Sequence, residues 1–141
     1  MKADMEADID RVLAGYRIVA VVGASPNRDR PSNAVVRFLM EEGYRVIPVT
    51  PDTMEVLGEK AYPDLTSIPE PVEVVDIFRK PEQVVPVVEE AIRIGAKAVW
   101  LQESVVNETA ANMAREAGLL VVMDRCMKKE TLKRRGRAPE D

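Results

Sequence analysis

The chain has 141 residues, of which 46% are hydrophobic and 31% charged, and its formal net charge at pH 7 is −4. This balance predicts a single domain, 1–141, with enough chain to bury a core, and its acidic surface offers nucleic acid no broad attraction. Zero histidines and one cysteine exclude an intrachain disulfide, the usual zinc ligand sets and the commonest general base, so no metal site is expected.

Helical and extended patterns alternate along the chain. Residues 4–15 have apolar side chains at helical spacing, which predicts an N-terminal helix within 1–15 that ends at Gly15. Further helices are predicted from Ser32 to Gly43, with Ser32 or Asn33 as the N-cap, from Pro81 or Glu82 to Gly95, and over 107–118, capped by Asn107. Runs rich in β-branched residues predict strands at 17–23, 44–51, 72–78, 97–102 and 119–124.

This alternation predicts an α/β protein of the Rossmann-like, doubly wound kind, with a mainly parallel five-stranded sheet and helices on both faces. Numbered along the chain, the strands are expected in the order 3-2-1-4-5. The stretch 52–71 is rich in Pro and Gly and is expected to contain only a short strand or turn near "KAYPDL". The basic segment 132–141 is expected to be a solvated tail or part of a last helix, with phosphate or partner binding as the alternative.

In such a sheet, ligands bind beside the carboxyl ends of the strands where the strand order reverses. The stretch "RIVAVVGASPNRDRPS" (17–32) places Gly23 at the end of the first strand, followed by the small residues Ala24 and Ser25. The helix that begins near Ser32 would direct free N–H groups and a partial positive charge at the same space. Phe78 and Gln102, at the ends of two other strands, would border the crevice.

The usual dinucleotide fingerprint is absent from this turn. The chain reads Gly-Ala-Ser-Pro-Asn-Arg from Gly23, so the second and third glycines of G-x-G-x-x-G are missing. Asp52 follows Pro51 in a loop and is poorly placed to bind a ribose. NAD is therefore disfavoured as the ligand.

Two basic clusters follow two strand ends. Arg28 and Arg30 lie in the loop after the first strand, and Arg79 and Lys80 follow Phe78. Such clusters suit a ligand that has phosphates at both ends of an adenosine, because Arg contacts phosphate through two hydrogen bonds.

At these residues the sequence resembles the small CoA-binding proteins related to the N-terminal CoA-binding domain of succinyl-CoA synthetase α subunits. The resemblance covers roughly residues 13–131, through "VVGASPNRDRPSNAV", "GYRVIPVTP", "EVLGEKAYPDLTSIP", "DIFRKPE", "KAVWLQE" and "AGLLVVMDRCMKKE". It implies a Rossmann-like fold that binds coenzyme A or an acyl-CoA. The residues it places at the ligand, together with the basic residues above, are Gly23, Ala24, Ser25, Arg28, Arg30, Ser32, Pro51, Phe78, Arg79, Lys80, Pro81 and Gln102.

The sequence departs from the family at two positions. The family commonly has Asn-Pro where this chain has Thr50-Pro51, and a Gly soon after the Leu-Gln pair where this chain has Glu103-Ser104. Contacts beyond Gln102 are the ones that these differences affect.

We expect no catalysis by this chain, because the related synthetases use a phosphohistidine and further domains, whereas this chain has no histidine. The alternatives are a CoA- or nucleotide-dependent enzyme, with thiol exchange through Cys126 and with Asp124 or Glu103 as acid–base groups, and an NAD-binding or regulatory subunit. Cys126 is otherwise expected to be a mostly buried residue that packs at a strand end, and Trp100 is expected to pack in the core.

No apolar run approaches the roughly 20 residues that span a bilayer. We expect a cytoplasmic protein that contacts neither membrane nor nucleic acid, with a homodimer or an unknown protein partner left open.

Overall fold

The computed structural model describes residues 4–136, which form a parallel sheet flanked by helices. The five strands of the sheet come from the β-branched runs, because consecutive Val and Ile side chains pack well on a sheet that is covered on both faces. Their bounds, with those of a small hairpin, are β1 Ile18–Val22, β2 Arg45–Val49, β3 Glu55–Val56, β4 Glu59–Lys60, β5 Val74–Ile77, β6 Ala98–Leu101 and β7 Leu120–Val122. The helices are α1 Met5–Gly15, α2 Pro31–Glu41, α3 Val84–Arg93, α4 Glu108–Glu116 and α5 Met127–Gly136.

The order of the strands is β2-β1-β5-β6-β7. When only the five strands of this sheet are numbered along the chain, the order is 2-1-3-4-5, so the predicted order 3-2-1-4-5 is wrong. After β2 the chain forms the hairpin β3–β4 and then contacts the outer edge of β2 through a single parallel bridge between Val49 and Tyr62. Thr50 N–H donates to the Tyr62 carbonyl (2.8 Å) and Tyr62 N–H donates to the Pro48 carbonyl (3.1 Å). Tyr62 therefore lies at the edge of β2 where the third strand was expected. That third strand, β5, pairs instead with the other side of β1.

Helices cover both faces of the sheet, as predicted. Alternate residues of β1 point to opposite sides: Val19 and Val21 pack with α1, α2 and α5, whereas Ala20 and Val22 pack with α3 and α4. Trp100 is fully buried on the first of these faces, and its Nε1–H donates to the Arg125 carbonyl at 2.9 Å. The prediction that Trp100 packs in the core is confirmed.

The helix starts differ in whether a side chain caps them. Asp4 accepts a hydrogen bond from Ala7 N–H (3.2 Å) at α1, and Asn107, the predicted cap of α4, accepts one from Ala110 N–H (3.0 Å). The prediction of Ser32 or Asn33 as the cap of α2 is wrong. Pro31 has the φ that a first helical position requires, so α2 begins there, and its N-cap residue Arg30 makes no capping hydrogen bond.

The third predicted helix is also divided: Pro81–Gln83 form a 3₁₀ turn, and α3 follows from Val84.

The first and last helices of the described residues, α1 and α5, pack on the same side of the sheet. Residues 132–136 belong to α5, and 137–141 lie outside the described residues. Arg134 pairs with Glu6 and Asp10 of α1 at 2.9 and 2.6 Å, and Ile9 and Val12 of α1 are buried in the core. No helix of residues 4–136 is long and apolar enough to cross a membrane.

Candidate functional site

A cleft of about 910 Å³ lies at the carboxyl ends of the sheet strands, between the first turns of α2 and α5. Its volume is in the range of small-molecule and cofactor sites. It contains most of the predicted site residues, namely Gly23, Ala24, Ser25, Arg30, Ser32, Phe78, Arg79, Lys80 and Gln102. Their positions along the chain differ widely, and the parallel sheet brings them together because all its strands end at one edge.

Three predicted residues lie outside the lining of the cleft. Arg28 and Pro51 are exposed in the loops after β1 and β2. Pro81 begins the 3₁₀ turn, and its carbonyl accepts a hydrogen bond from Asn107 Nδ2 (2.9 Å), which joins the turn to the start of α4.

Gly23 forms the base of the cleft and has no room for a side chain. Its φ is +91°, and a Cβ at this position would lie 2.2 Å from the Phe78 carbonyl oxygen. Its N–H donates to the Val49 carbonyl (2.9 Å), and Phe78 N–H donates to the Val22 carbonyl (2.8 Å). The backbones that follow β1 and β5 are therefore in direct contact where Gly23 and Phe78 line the cleft.

The loop between β1 and α2 is held by its own polar groups. Ser25 Oγ accepts from Asn27 N–H (3.1 Å), and Asn27 Oδ1 accepts from Asp29 N–H (2.9 Å). Asn33 is fully buried, and its Nδ2 donates to the Ser25 carbonyl at 2.8 Å. Asn33 thus fixes the loop against the helix, a role that its sequence position as a candidate cap did not reveal.

The cleft is basic although the chain is acidic. Five basic and two acidic side chains line it, the bases being Arg30, Arg79, Lys80, Lys128 and Lys129 and the acids Asp52 and Glu103. Arg30, Arg79 and Lys80 make no ion pair within residues 4–136. The helix α2 also begins without a side-chain cap and without an acid in its first turn. Pro31 has no N–H and Asn33 N–H donates to the Arg30 carbonyl (3.0 Å), so in this first turn the N–H group of Ser32 is available to an anion.

The start of α5 contributes a wall whose residues are not among the predicted CoA contacts, although Cys126 is the residue of the thiol-exchange alternative. Cys126, Lys128 and Lys129 line the cleft, and Cys126 is a half-buried free thiol. Lys129 Nζ lies 3.0 and 3.1 Å from the two carboxylate oxygens of Glu103, and this hydrogen bonding raises the pKa of Lys129. The family pattern of the segment "AGLLVVMDRCMKKE" was the available signal for these residues.

The departure at Glu103-Ser104 preserves the backbone of the turn. Ser104 has φ 70°, a left-handed conformation that glycine adopts freely, which accounts for the glycine common in the family. Ser104 N–H donates to Asp124 Oδ1 (2.8 Å), and Asp124 itself has φ 61°. Both carboxylates named as acid–base alternatives are therefore engaged, Asp124 with this N–H group and Glu103 with Lys129.

One buried carboxyl lies directly behind the cleft. Asp76, on β5, is fully buried, and its Oδ1 accepts a hydrogen bond from Gln102 Nε2 at 2.5 Å. Burial raises the pKa of Asp76 to about 7, against the hydrogen bond from Gln102, which lowers it. Within residues 4–136 no cluster of acidic, Cys or His side chains is suited to hold a metal ion.

A parallel, doubly wound sheet with its cleft at the carboxyl edge defines a Rossmann-like α/β protein. Within that class, the chain belongs to the CoA binding domain family, which matches residues 17–131 of this chain. The resemblance found in the sequence is confirmed.

The relatives include short chains and part of a larger enzyme. YneT of Bacillus subtilis (strain 168) is 39% identical over 128 residues, 91% of this chain and 95% of YneT. A hypothetical protein from Pyrococcus horikoshii OT3 has a solved structure with a TM-score of 0.88 and 43% identity, covering 94% of this chain and 98% of that one. The ADP-forming acetate–CoA ligase I of Archaeoglobus fulgidus is 27% identical over 121 residues, which are 79% of this chain and 18% of the ligase.

Proposed function

We propose that this protein binds coenzyme A or an acyl-CoA in the cleft at the carboxyl edge of the sheet, and that it catalyses no reaction of its own. The observation that supports this proposal most directly is the excess of basic side chains around the cleft, five against two acids, in a chain of net charge −4. A polyanionic ligand is the one that such a local reversal of charge favours.

The pyrophosphate would lie against the turn Gly23–Ser25 and the first turn of α2. Its oxygens would accept hydrogen bonds from backbone N–H groups that no side chain caps, with Arg30 beside them. Arg79 and Lys80, across the cleft, would neutralise the 3′-phosphate. The adenosine would then lie toward Thr50 and Phe78, and the pantetheine arm toward Gln102 and the start of α5.

Thermal unfolding with CoA, dephospho-CoA, NAD and no ligand tests the proposal. A ligand at 100 times its Kd stabilises the folded state by about 2.7 kcal/mol, which is a Tm shift of roughly 10 °C for this length. We expect a large shift with CoA, a smaller one with dephospho-CoA and none with NAD. No shift with CoA would contradict the proposed ligand, and a shift with NAD would favour the NAD-binding alternative.

Arg30→Ala and Arg28→Ala provide a matched pair for the same measurement. Both arginines belong to one loop, but only Arg30 lines the cleft. Loss of a charge-assisted hydrogen bond to phosphate should weaken CoA binding about tenfold or more in Arg30→Ala, with little change in Arg28→Ala. Equal effects of the two substitutions would remove the assignment of Arg30.

Thiol exchange is the second candidate function, and the position of Cys126 favours it. The thiol lies on the wall toward which the pantetheine arm would extend. The Cys126 thiolate would attack the disulfide of CoA disulfide, forming a mixed disulfide and releasing one CoA thiolate. A mass increase of one CoA moiety in the wild type, absent in Cys126→Ser, would support it; no adduct with CoA disulfide would exclude it.

A further inference from the structure

Asp76 is an unusual residue for its place in the sheet. It is the third residue of β5, it pairs with Val21 of β1 and Trp100 of β6, and it is fully buried. A buried carboxyl among apolar neighbours is costly unless its oxygens are hydrogen-bonded. Its Oδ1 has one partner, Gln102, and its Oδ2 has none within residues 4–136.

Gln102 connects this carboxyl to the cleft. Its backbone N–H donates to the Ile77 carbonyl (3.3 Å), which holds it at the end of β6, and its side chain lines the cleft while remaining 4% exposed. Its Nε2 donates to Asp76 Oδ1 at 2.5 Å. A carboxylate has only acceptors, so it determines which end of the Gln102 amide turns toward it and leaves Oε1 for the other side.

We propose that Asp76 is a positioning residue, which acts through Gln102 by holding the amide with its Oε1 toward the cleft, where it accepts a hydrogen bond from a neutral N–H donor of the ligand. The proposal rests on the proposed function. With the pyrophosphate at Gly23, the part of CoA that extends past β5 to Gln102 is the pantetheine arm, whose amide N–H groups are donors of this kind. The pantetheine arm is uncharged, so no cationic side chain is required to bind it. The lining near Gln102 includes the apolar Val105.

The state of ionisation of Asp76 would set the orientation of the amide. Burial raises the pKa of Asp76 to about 7, and a protonated carboxyl has an O–H that can donate to Gln102 Oε1, so the amide is no longer restricted to one orientation. The charged groups around this layer are the seven that line the cleft and the buried Glu130 of α5, which pairs with Arg134 at 2.7 Å. Burial is the larger cause of the shift in the pKa of Asp76 and raises it, and the hydrogen bond from Gln102 lowers it.

The test compares wild type, Asp76→Asn, Gln102→Met and the double variant by calorimetric titration with dephospho-CoA at about pH 8 and about pH 6. Dephospho-CoA is used because it lacks the 3′-phosphate, whose second ionisation falls near pH 6. Wild-type affinity should fall about twofold to tenfold from the higher to the lower pH: about twofold if the two amide orientations become equally populated, and up to the value of one hydrogen bond if the flipped orientation prevails. Asp76→Asn and Gln102→Met should each bind more weakly than wild type at the higher pH, with affinities that do not change with pH.

The double variant distinguishes positioning from general support of the fold. If Asp76 acts through the amide, Asp76→Asn should have no further effect on affinity in the Gln102→Met background. Additive losses in the double variant, or wild-type affinity and pH profile in Asp76→Asn, would overturn the proposal.

A measurement without ligand separates this inference from the proposed function. The NMR signals of the Gln102 side-chain NH₂ group in the free protein should titrate near pH 7 in wild type and not in Asp76→Asn. If they titrate and neither CoA nor dephospho-CoA binds, the proposed function fails while the orientation of Gln102 by Asp76 stands. If CoA binds and the signals do not titrate, the role of Asp76 is refuted.

Discussion

At the scale of single residues, Gly23 is the position where the geometry of the cleft most directly restricts which residue type can be present. Glycine is required both by its positive φ and by the Phe78 carbonyl oxygen, which would lie only 2.2 Å from a Cβ at this position. The sequence indicates a turn here, because an apolar run ends at Gly followed by small residues. The contact with Phe78 could not be predicted, since 55 positions of the chain separate the two residues.

Gly23→Ala and Gly43→Ala should therefore differ in stability. Both glycines have φ +91°, but nothing lies within 4 Å of a Cβ at Gly43. Gly43→Ala should lower the free energy of unfolding by about 1–2 kcal/mol, the cost of a left-handed non-glycine residue. Gly23→Ala should cost at least about 2 kcal/mol more, because the strand ends must separate. Urea denaturation measures both, and equal losses would mean that the approach to Phe78 is not rigid.

At the scale of elements, α5 matters because its first residues form one wall of the cleft. The helix has a polar sequence, and Met127 is the one apolar side chain buried among its residues 127–135, so ion pairs contribute to holding it in place. Arg134 contacts Glu6 and Asp10 of α1 and the buried Glu130, with its own side chain 16% exposed. Within the basic run that the sequence presents as a possible tail, Arg134 thus lies on the inner side of a helix–helix contact, whereas the side chain of Lys133 is 58% exposed.

Arg134→Ala should destabilise the protein, and Lys133→Ala is its control. Lys133 also pairs with Glu130, at 3.5 Å, but its side chain is 58% exposed. Arg134→Ala should lower the free energy of unfolding by about 1–3 kcal/mol, because it leaves the buried Glu130 short of partners, whereas Lys133→Ala should change it by less than about 0.5 kcal/mol. Chemical denaturation gives both values. A large loss in Lys133→Ala would show that α5 depends on its net charge and not on the contact with α1.

At the scale of the whole molecule, the buried Asp76 should make stability depend on pH. The pKa of Asp76 is about 7 in the folded protein, against an ordinary value of 3.8. The folded state therefore holds the proton more tightly, so this contribution to stability is complete below about pH 4 and is lost as the pH rises through about 7. The lowered pKa values of Asp64 and Glu70 act in the opposite direction, and only in more acidic solution.

Thermal unfolding of wild type and Asp76→Asn between about pH 5 and about pH 8 measures this effect. Wild type should lose roughly 2–3 kcal/mol relative to the variant across that interval, which is roughly 10 °C in Tm. A difference in Tm between the two proteins that stays constant with pH would contradict a raised pKa for Asp76.

The sequence by itself determined the fold class, the positions of the five strands of the sheet and nine of the residues that line the cleft. These depend on local signals: β-branched runs, glycines at the ends of elements, and the short family motifs that follow each strand. The placement of Arg30, Phe78 and Gln102 in one cleft follows from the rule that parallel strands end at one edge.

The tertiary structure alone decided the order of the strands, the start of α2 at Pro31, and the exposure of Arg28 and Pro51. It also decided that Asn33 fixes the loop, that α5 closes the cleft, and that Asp76 lies behind Gln102. Each of these depends on contacts between residues far apart in the chain, or on which of two chemically similar neighbours turns inward. Local composition and spacing are the same for either outcome, so only the packing of the whole chain could select one.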